Sequence, residues 1–412
     1  MHKITYNILD VAIICALFSV VLLGGGTLHK VVLLPTAIII LFIEIVIYKE
    51  IKIKLCFLPL WIGLLAAIIS TLLTSKDIIF SMYKLAEFLT LVLMTAAYGN
   101  FQREHPQEIF QDKYYNLVLS FLKGIIVYCF CIAILFPNAN IMTGKESYAM
   151  SKALLPYILN ITTGIALNAN SLGVISAIVL FDLLFRSSFK ICNKFSAKEI
   201  FLYIATLFCL VFSQSRTSWI AIVFSLAMIL SFGGQNTRRL RWILLVILIP
   251  LIAVNLNTII EYFLRGRSAQ ELFNMSGRMS YWPIIAEKVI HTDDKSFFWG
   301  LGYGTAVKQQ YGDYQLASLH SDFMDALANM GIIGIIIVTL YWLWILFSRG
   351  RHLLISMLSK NSQYKASQLY KMGISIIILI RAITGSTIFS LSVFSILLIL
   401  LMCNSNKIGD SL

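Results

Sequence analysis

Hydrophobic residues occur along this chain in long blocks separated by short polar connections. A helix needs about 20 apolar residues to cross a bilayer, so these blocks predict membrane-spanning helices. The predicted spans are 8–25, 31–48, 55–73, 78–97, 115–136, 161–185, 200–214, 217–233, 242–257, 322–347, 372–386 and 387–403. The pattern predicts an all-α, polytopic integral membrane protein of about 12 transmembrane helices, with residues 1–412 forming a single integral membrane domain.

One longer polar stretch, residues 258–320, interrupts this pattern. Within it, apolar residues from Met279 to Ile290 recur at near-helical spacing, which predicts a short amphipathic helix at the membrane interface. The spacing of the glycines in Gly300-Leu301-Gly302-Tyr303-Gly304 differs from that of a dinucleotide-binding loop. The segment is therefore interpreted as a tight turn. Five aromatic residues of this stretch are predicted to anchor it at headgroup depth; they are Trp282, Phe297, Phe298, Trp299 and Tyr303.

Composition supports the membrane prediction and excludes a soluble protein. Hydrophobic residues make up 58% and charged residues 13% of the chain, against roughly 45–50% and 25% in soluble domains. The net charge of +13 is better explained by the positive-inside rule than by nucleic-acid binding. Basic residues concentrate in alternate connections, which predicts cytoplasmic termini and places 258–320 on the periplasmic or outer face. None of the seven cysteines lies in 258–320, which argues against disulfides and a zinc site.

Charged residues near the membrane are costly, so each is a candidate for function. Arg216 lies in a polar break between two spans, where it either snorkels to the interface or binds an anionic group between helices. Arg278 is either a solvated loop residue or a second ligand for a diphosphate. Arg265 and Arg267 are weaker candidates that could instead contact lipid phosphates.

Two further sites combine titratable and polar residues. Lys84 and Glu87 share a helix face and form either an ion pair between helices or part of a polar cavity near a substrate. His320 stands where the polar stretch meets the next span. Its imidazole is either structural or a general base for a sugar hydroxyl. Ser321 and Asp322 are predicted to cap the following helix.

The chain resembles the O-antigen ligase and polymerase family of bacterial envelope glycosyltransferases. Ligases of that family carry a His-(Asn/Ser/Gln), nine residues, Gly, two residues, Gly/Thr/Tyr pattern at the end of their periplasmic loop. Here His320-Ser321, Gly331 and Gly334 match it at every position.

Other family motifs are present between residues 160 and 350. They are Asn168, Asn170 and Gly173 entering a span, Ser215-Arg216, and Ser276-Gly277-Arg278 followed by Trp282. The family's Arg, three residues, Leu motif is imperfect, because Ile220 follows Arg216 at that spacing. The polar loop is also short for a ligase.

The resemblance implies a metal-independent, inverting glycosyltransferase of the bacterial inner membrane that needs no cofactor and acts on the periplasmic face. The donor would be an undecaprenyl-diphosphate-linked glycan, and the acceptor either a lipid-linked glycan or the lipid A-core. Membrane lipids and a chain-length regulator are the further partners. The implied catalytic residues are His320, Arg216 and Arg278, and the substrate-binding residues are Lys84, Ser215, Arg265, Arg267 and Ser321.

Three functions are compatible with these features. The short loop and Ile220 favour an O-antigen polymerase, and the His320 motif equally suits an O-antigen ligase. A flippase for lipid-linked oligosaccharides also has about twelve spans, but such transporters often contain internal repeats, and this sequence shows none.

Overall fold

The structure is a computed structural model that describes residues 2–21, 28–47, 54–136, 167–189, 196–233, 256–264, 278–311, 314–315, 319–359 and 361–404. The prediction of an all-α fold is confirmed. The helices are α1 (His2–Val21), α2 (Leu28–Ile47), α3 (Leu58–Thr74), α4 (Ile78–Glu104), α5 (Lys113–Leu135), α6 (Ala169–Ser188), α7 (Ala197–Ser213) and α8 (Arg216–Phe232). They continue with α9 (Leu256–Leu264), α10 (Arg278–Thr292), α11 (Asp294–Trp299), α12 (Asp322–Leu358), α13 (Ser362–Thr384) and α14 (Val393–Cys403).

Short elements complete the described chain. Two 3-10 turns cover Leu55–Phe57 and Thr305–Lys308. A minimal antiparallel ladder joins β1 (Gln310–Tyr311) to β2 (Tyr314–Gln315).

Within the described part of the chain, six helical segments are long and apolar enough to cross a membrane; they are Leu55–Thr74, α4, α5, α6, α12 and α13. Shorter apolar helices occur at Leu9–Val20, Val32–Ile47, α8 and α14. The protein is therefore a multi-pass membrane protein, but the count of about 12 spans is not confirmed. The predicted span 242–257 lies almost wholly outside the described residues.

The chain divides into two compact units. Unit 1 comprises Met1–Val118, Gly277–Gly350 and Ala382–Leu412, and unit 2 comprises Leu119–Ser276 and Arg351–Arg381. In unit 1, α4 packs against α2, α3 and α14, and α11 packs against α3. In unit 2, α6 packs against both α7 and α8.

Unit 2 contains a buried ion cluster on α6. The carboxylate of Asp182 is fully buried and lies 2.8 Å from Lys123 Nζ and 2.6 Å from Arg186 Nε. The Tyr370 hydroxyl donates to the same carboxylate at 2.6 Å. Burying a charge is tolerated when it is paired and hydrogen-bonded, so Lys123 and Arg186 compensate the buried carboxylate of Asp182.

Cations also complete a helix end in unit 1. The last carbonyls of α14 accept hydrogen bonds from Arg349 Nη2, to Leu401 O at 2.9 Å, and from Lys54 Nζ, to Cys403 O at 2.6 Å. A positive charge at a helix C-terminus satisfies otherwise unpaired carbonyls and the helix dipole. These contacts tie α14 to the chain entering α3 and to α12.

Candidate functional site

His320 occupies a strained backbone position at the start of α12. Its φ is +58°, in the left-handed region that non-glycine residues rarely adopt. The following Ser321 is 2% exposed, whereas His320 itself is only partly buried. Strained, accessible residues at an element boundary are typical of functional positions. The structure therefore holds an imidazole in a defined backbone conformation where solvent can reach it.

Asp322, the first residue of α12, fastens this junction to the segment between α13 and α14. Its carboxylate accepts hydrogen bonds from the backbone N–H groups of Thr387, at 2.5 Å, and Ile388, at 2.8 Å. One turn later, Asp325 accepts a short hydrogen bond from the Ser386 hydroxyl. Two carboxylates of one helical turn thus position residues 385–392.

A polar cavity of about 180 Å³ lies beside this clamp within unit 1. Lys84 and Glu87 line it, and their Nζ and Oε2 atoms are 2.8 Å apart. The ion pair lies within α4 and so does not join two helices, as the first interpretation had it. The place of both residues in the cavity wall agrees with the second interpretation, a polar cavity. The other lining residues are Tyr303, Gly304, Val307, Asp322, Asp325, Ala326, Asn329, Met330, Ser386, Phe389, Ser390 and Leu391.

The glycine-rich turn is confirmed and has a packing role. Gly300, Gly302 and Gly304 all have positive φ. A Cβ on Gly304 would lie 2.4 Å from Lys84 Cγ, so this glycine lets the turn approach the cavity's lysine. The Gly304 N–H donates to Asn329 Oδ1 at 3.0 Å, which fixes the turn to α12.

The first motif glycine of α12 interlocks with the turn. Gly331 breaks the helix with φ +64° and ψ −152°. A Cβ there would lie 2.5 Å from Phe297 O, and a Cβ on Gly300 would lie 2.5 Å from Met330 N. The two glycines therefore permit backbone-to-backbone contact between the end of α11 and the kink of α12.

The second motif glycine serves the same kink from within α12. A Cβ on Gly334 would lie 2.4 Å from Ala326 O. The spacing of His320, Gly331 and Gly334 thus corresponds to a first helical segment after His320, a break at Gly331, and a close contact of Gly334 with the backbone of Ala326.

The predicted amphipathic helix exists as α10. Tyr281, Ile285 and Val289 are buried on one face, in a cluster with Leu301, Ala306, Leu319, Leu327 and Ala328. Arg278, the first residue of α10, is partly buried, and this burial lowers the pKa of its guanidinium although Tyr281 partly compensates. An arginine is thus placed at the N-terminal end of a helix, where anions are favoured.

The prediction that the aromatic residues of this segment anchor it at headgroup depth is wrong for Tyr303. This side chain is 7% exposed, stacks on Phe88 at 5.7 Å between ring centroids, and donates its hydroxyl to Phe389 O at 2.9 Å. Trp282 Nε1 donates to Leu319 O at 3.1 Å, next to His320. Both rings serve internal packing because their polar atoms find backbone acceptors.

In unit 2, two of the family motifs pack on each other. A Cβ on Gly173 would lie 2.4 Å from Ser215 Cβ and 2.8 Å from Ser218 Oγ. Asn168, which precedes this glycine in its motif, caps α6 by accepting from Ser171 N at 2.8 Å. The two motifs therefore form one polar contact between α6 and the start of α8.

Arg216 begins α8 and is engaged by the end of α9. Its Nε donates to Phe263 O at 2.5 Å and its Nη2 to Leu264 O at 3.1 Å. The side chain thus binds the C-terminal carbonyls of a helix, an arrangement that the dipole favours. Backbone carbonyls of the protein itself therefore occupy two of the guanidinium nitrogens.

The predicted residues fall into separate groups. His320, Ser321, Arg278 and Lys84 lie in unit 1, and Ser215 and Arg216 lie in unit 2. Arg265 and Arg267 lie outside the described residues. The sequence analysis missed Asp325, Asn329, Ser386 and Ser390 as cavity residues. A usable signal was the spacing of Asp325 three residues after Asp322, which places both on one helix face.

Fold and site together define a multi-pass membrane protein with a polar cavity beside the start of α12. A family model described as O-antigen ligase matches residues 201–339. This match confirms the resemblance of residues 201–339 to the O-antigen ligase and polymerase family, whose members are glycosyltransferase-like enzymes. No curated protein matches the chain at a significant level.

Proposed function

We propose that the protein is a membrane glycosyltransferase that moves a glycan from undecaprenyl diphosphate to a hydroxyl of an acceptor sugar. We assign it as the polymerase of a surface polysaccharide, whose acceptor is itself lipid-linked. The observation that carries this proposal is the accessible His320 in a left-handed backbone conformation, within the motif that the family model covers.

In the proposed reaction, His320 removes the proton of the acceptor hydroxyl as that oxygen attacks the anomeric carbon of the donor. The bond between the anomeric carbon and the diphosphate oxygen breaks on the opposite side, which inverts the configuration. Undecaprenyl diphosphate leaves with the electron pair of that bond, and the histidine carries the proton away. An imidazole suits this step because it titrates near neutral pH.

The leaving diphosphate needs positive charge, which we assign to arginine side chains rather than to a metal ion. Arg278 supports this role by its partial burial and its place at the start of α10. For Arg216, the support is the family motif Ser215-Arg216 and the surrounding hydroxyl groups. Arg265 and Arg267, together with Ser321 and Lys84, complete the proposed substrate-binding set.

We further propose that the protein lies in the bacterial inner membrane, with cytoplasmic termini and residues 258–320 in the periplasm. The distribution of basic residues supports this topology. A cysteine introduced at the exposed His291 should react with a membrane-impermeant maleimide in intact spheroplasts. Labelling only after lysis would reverse the proposed orientation.

An O-antigen ligase is the second candidate, because the matching family model carries that description. Its acceptor would be the lipid A-core. Both enzymes share the donor and the proposed chemistry, so only the acceptor separates them.

Deletion of the gene followed by electrophoresis of the lipopolysaccharide tests the assignment. A polymerase defect leaves a core that carries one repeat unit without a ladder. A ligase defect leaves a bare core while polymer accumulates on the lipid carrier. Complementation by the wild type but not by His320→Ala is expected in either case, and a ladder that survives deletion would contradict both assignments to O-antigen.

A further inference from the structure

The cavity beside the Asp322 clamp has room for one small polar ligand. Its volume of about 180 Å³ is below the roughly 300–1,000 Å³ of sites for drug-sized molecules. At about 30 Å³ of liquid volume per water molecule, it has the capacity of a few waters. A single sugar ring with its hydroxyl groups is of this size.

The lining matches the chemistry of a sugar ring. Hydrogen-bonding groups come from Glu87, Asp325, Asn329 and the serines 386 and 390, while Phe389, Leu391 and Met330 supply an apolar wall. A pyranose likewise has a rim of hydroxyl groups around apolar C–H faces. A few polar groups in a mainly apolar wall are typical of small-ligand sites.

The polar groups are held before any ligand binds. Asp322 is fixed by two backbone N–H groups, Asp325 by Ser386, and Glu87 by Lys84 and by Tyr83, whose hydroxyl donates at 2.5 Å. A preorganised site loses little conformational entropy when it binds. Each of these carboxylates can accept more hydrogen bonds than these contacts use.

The charge of the residues that line the cavity favours uncharged sugars over acidic ones. Three carboxylates, from Glu87, Asp322 and Asp325, face one cation, Lys84. A sugar acid would add a further negative charge and be repelled. An uncharged sugar meets only hydrogen-bond acceptors and donors.

We propose that this cavity is a subsite for one uncharged sugar ring of the glycan that is transferred or of the acceptor. The inference rests on the proposed function, because it assigns the ring to the substrates of that reaction. Asp322 follows His320 by two residues, so the clamp that shapes the cavity is built on the same helix start as the proposed base.

Binding measurements on the purified full-length protein in nanodiscs test the subsite without requiring activity. The ligands are the lipid-linked repeat unit extracted from the producing cells, the lipid A-core, and undecaprenyl diphosphate without sugar. Ser390→Leu fills the cavity, and Ser231→Leu, an exposed position on α8, is the matched control. Thermal unfolding of each variant checks that it is folded.

Ser390→Leu should weaken binding of one sugar-bearing ligand about tenfold and leave undecaprenyl diphosphate unaffected. Loss for the lipid-linked repeat unit assigns the ring to that glycan, and loss for the lipid A-core assigns it to the core. Asp325→Asn, which keeps the shape of the side chain, should weaken the same ligand about threefold and decides the question if the leucine variant does not fold.

Unchanged binding of both sugar-bearing ligands would overturn the subsite, as would an equal loss for the sugar-free lipid. The two proposals fail separately. Absence of transfer by a wild type that binds the repeat unit through this cavity would overturn only the enzyme. Transfer by the wild type, with binding unaffected in Ser390→Leu and Asp325→Asn, would overturn only the subsite.

Discussion

The starts of α8 and α12 share a left-handed backbone residue that is followed by a charged residue, positive in α8 and negative in α12. Among the described residues, Gln214 and His320 are the non-glycine residues with positive φ, at +49° and +58°. Each is followed by a serine and then by a charged residue that begins a helix, Arg216 or Asp322. In unit 2 the arginine donates to backbone carbonyls, and in unit 1 the aspartate accepts from backbone N–H groups.

The difference lies in what the strained residue can reach. Gln214 is 2% exposed, whereas His320 is partly exposed and lies just before the helix that carries two cavity carboxylates. A left-handed conformation costs a non-glycine residue about 1–2 kcal/mol. The same local strain therefore lies at a buried side chain in unit 2 and at a partly exposed imidazole in unit 1.

Breaking the unit 1 junction should have the largest effect on stability. Gly331→Ala places a methyl group 2.5 Å from backbone atoms of α11 at a φ of +64°. Overpacking and backbone strain together should cost about 3 kcal/mol, measured as a lower Tm in detergent. Gly350→Ala, in the same helix with open space around its Cα, should be neutral or slightly stabilising. Equal Tm values for the two variants would contradict the interlock.

The unit 2 junction should be somewhat more tolerant. Gly173→Ala meets side-chain atoms of Ser215 and Ser213 at 2.4 and 2.7 Å, and side chains adjust more readily than backbone. The expected loss is about 2 kcal/mol, again read from Tm. Gly124→Ala in α5, where no atom lies within 4 Å of the added methyl group, is the control. A loss as small as that of the control would show that α6 and α8 do not pack through this glycine.

The cation at the start of α8 can be tested by a change that keeps its charge. Arg216→Lys removes the two-point contact to Phe263 and Leu264. Because a lysine cannot reproduce this planar geometry, we expect about a tenfold weaker binding of undecaprenyl diphosphate. The exposed Arg351→Lys is the control. Unaltered binding in Arg216→Lys would remove Arg216 from the proposed diphosphate ligands.

An exposed ion pair outside both junctions should have the smallest effect. Asp77 caps α4, and its ion pair with Lys308 at 2.6 Å, followed by the Phe80 N–H, lowers the pKa of its carboxyl. A carboxyl whose pKa is lower in the folded than in the unfolded protein stabilises the fold at pH values above its unfolded-state pKa of about 3.9. This stabilisation disappears as the pH falls through the folded-state pKa. Asp77→Asn should therefore lower Tm by about 1 °C at pH 7 and by nothing once the wild-type carboxyl is protonated. A loss that persists at that acidic pH would contradict this explanation.

Local patterns predicted much of the site. The spacing of Met279–Ile290 predicted α10, the glycines predicted the turn, and the i,i+3 spacing predicted the Lys84–Glu87 pair, because each depends on residues close in sequence. The Asp322 clamp joins residues about 65 positions apart. The spacing of hydrophobic residues along the chain cannot predict such a contact. The burial of Tyr303 was missed for the same reason, since its partners Phe88, on α4, and Phe389, between α13 and α14, are distant in sequence.

The central claim is that His320 acts through its imidazole and not through its backbone shape. Glycine adopts the left-handed conformation without strain, so His320→Gly preserves the junction and removes the base. Glycan transfer by the purified protein should fall about 10²- to 10⁴-fold with Tm maintained, and added imidazole should restore part of the rate. His291→Gly, an exposed residue of α10, should retain full transfer. Transfer by His320→Gly at the wild-type rate would contradict the account.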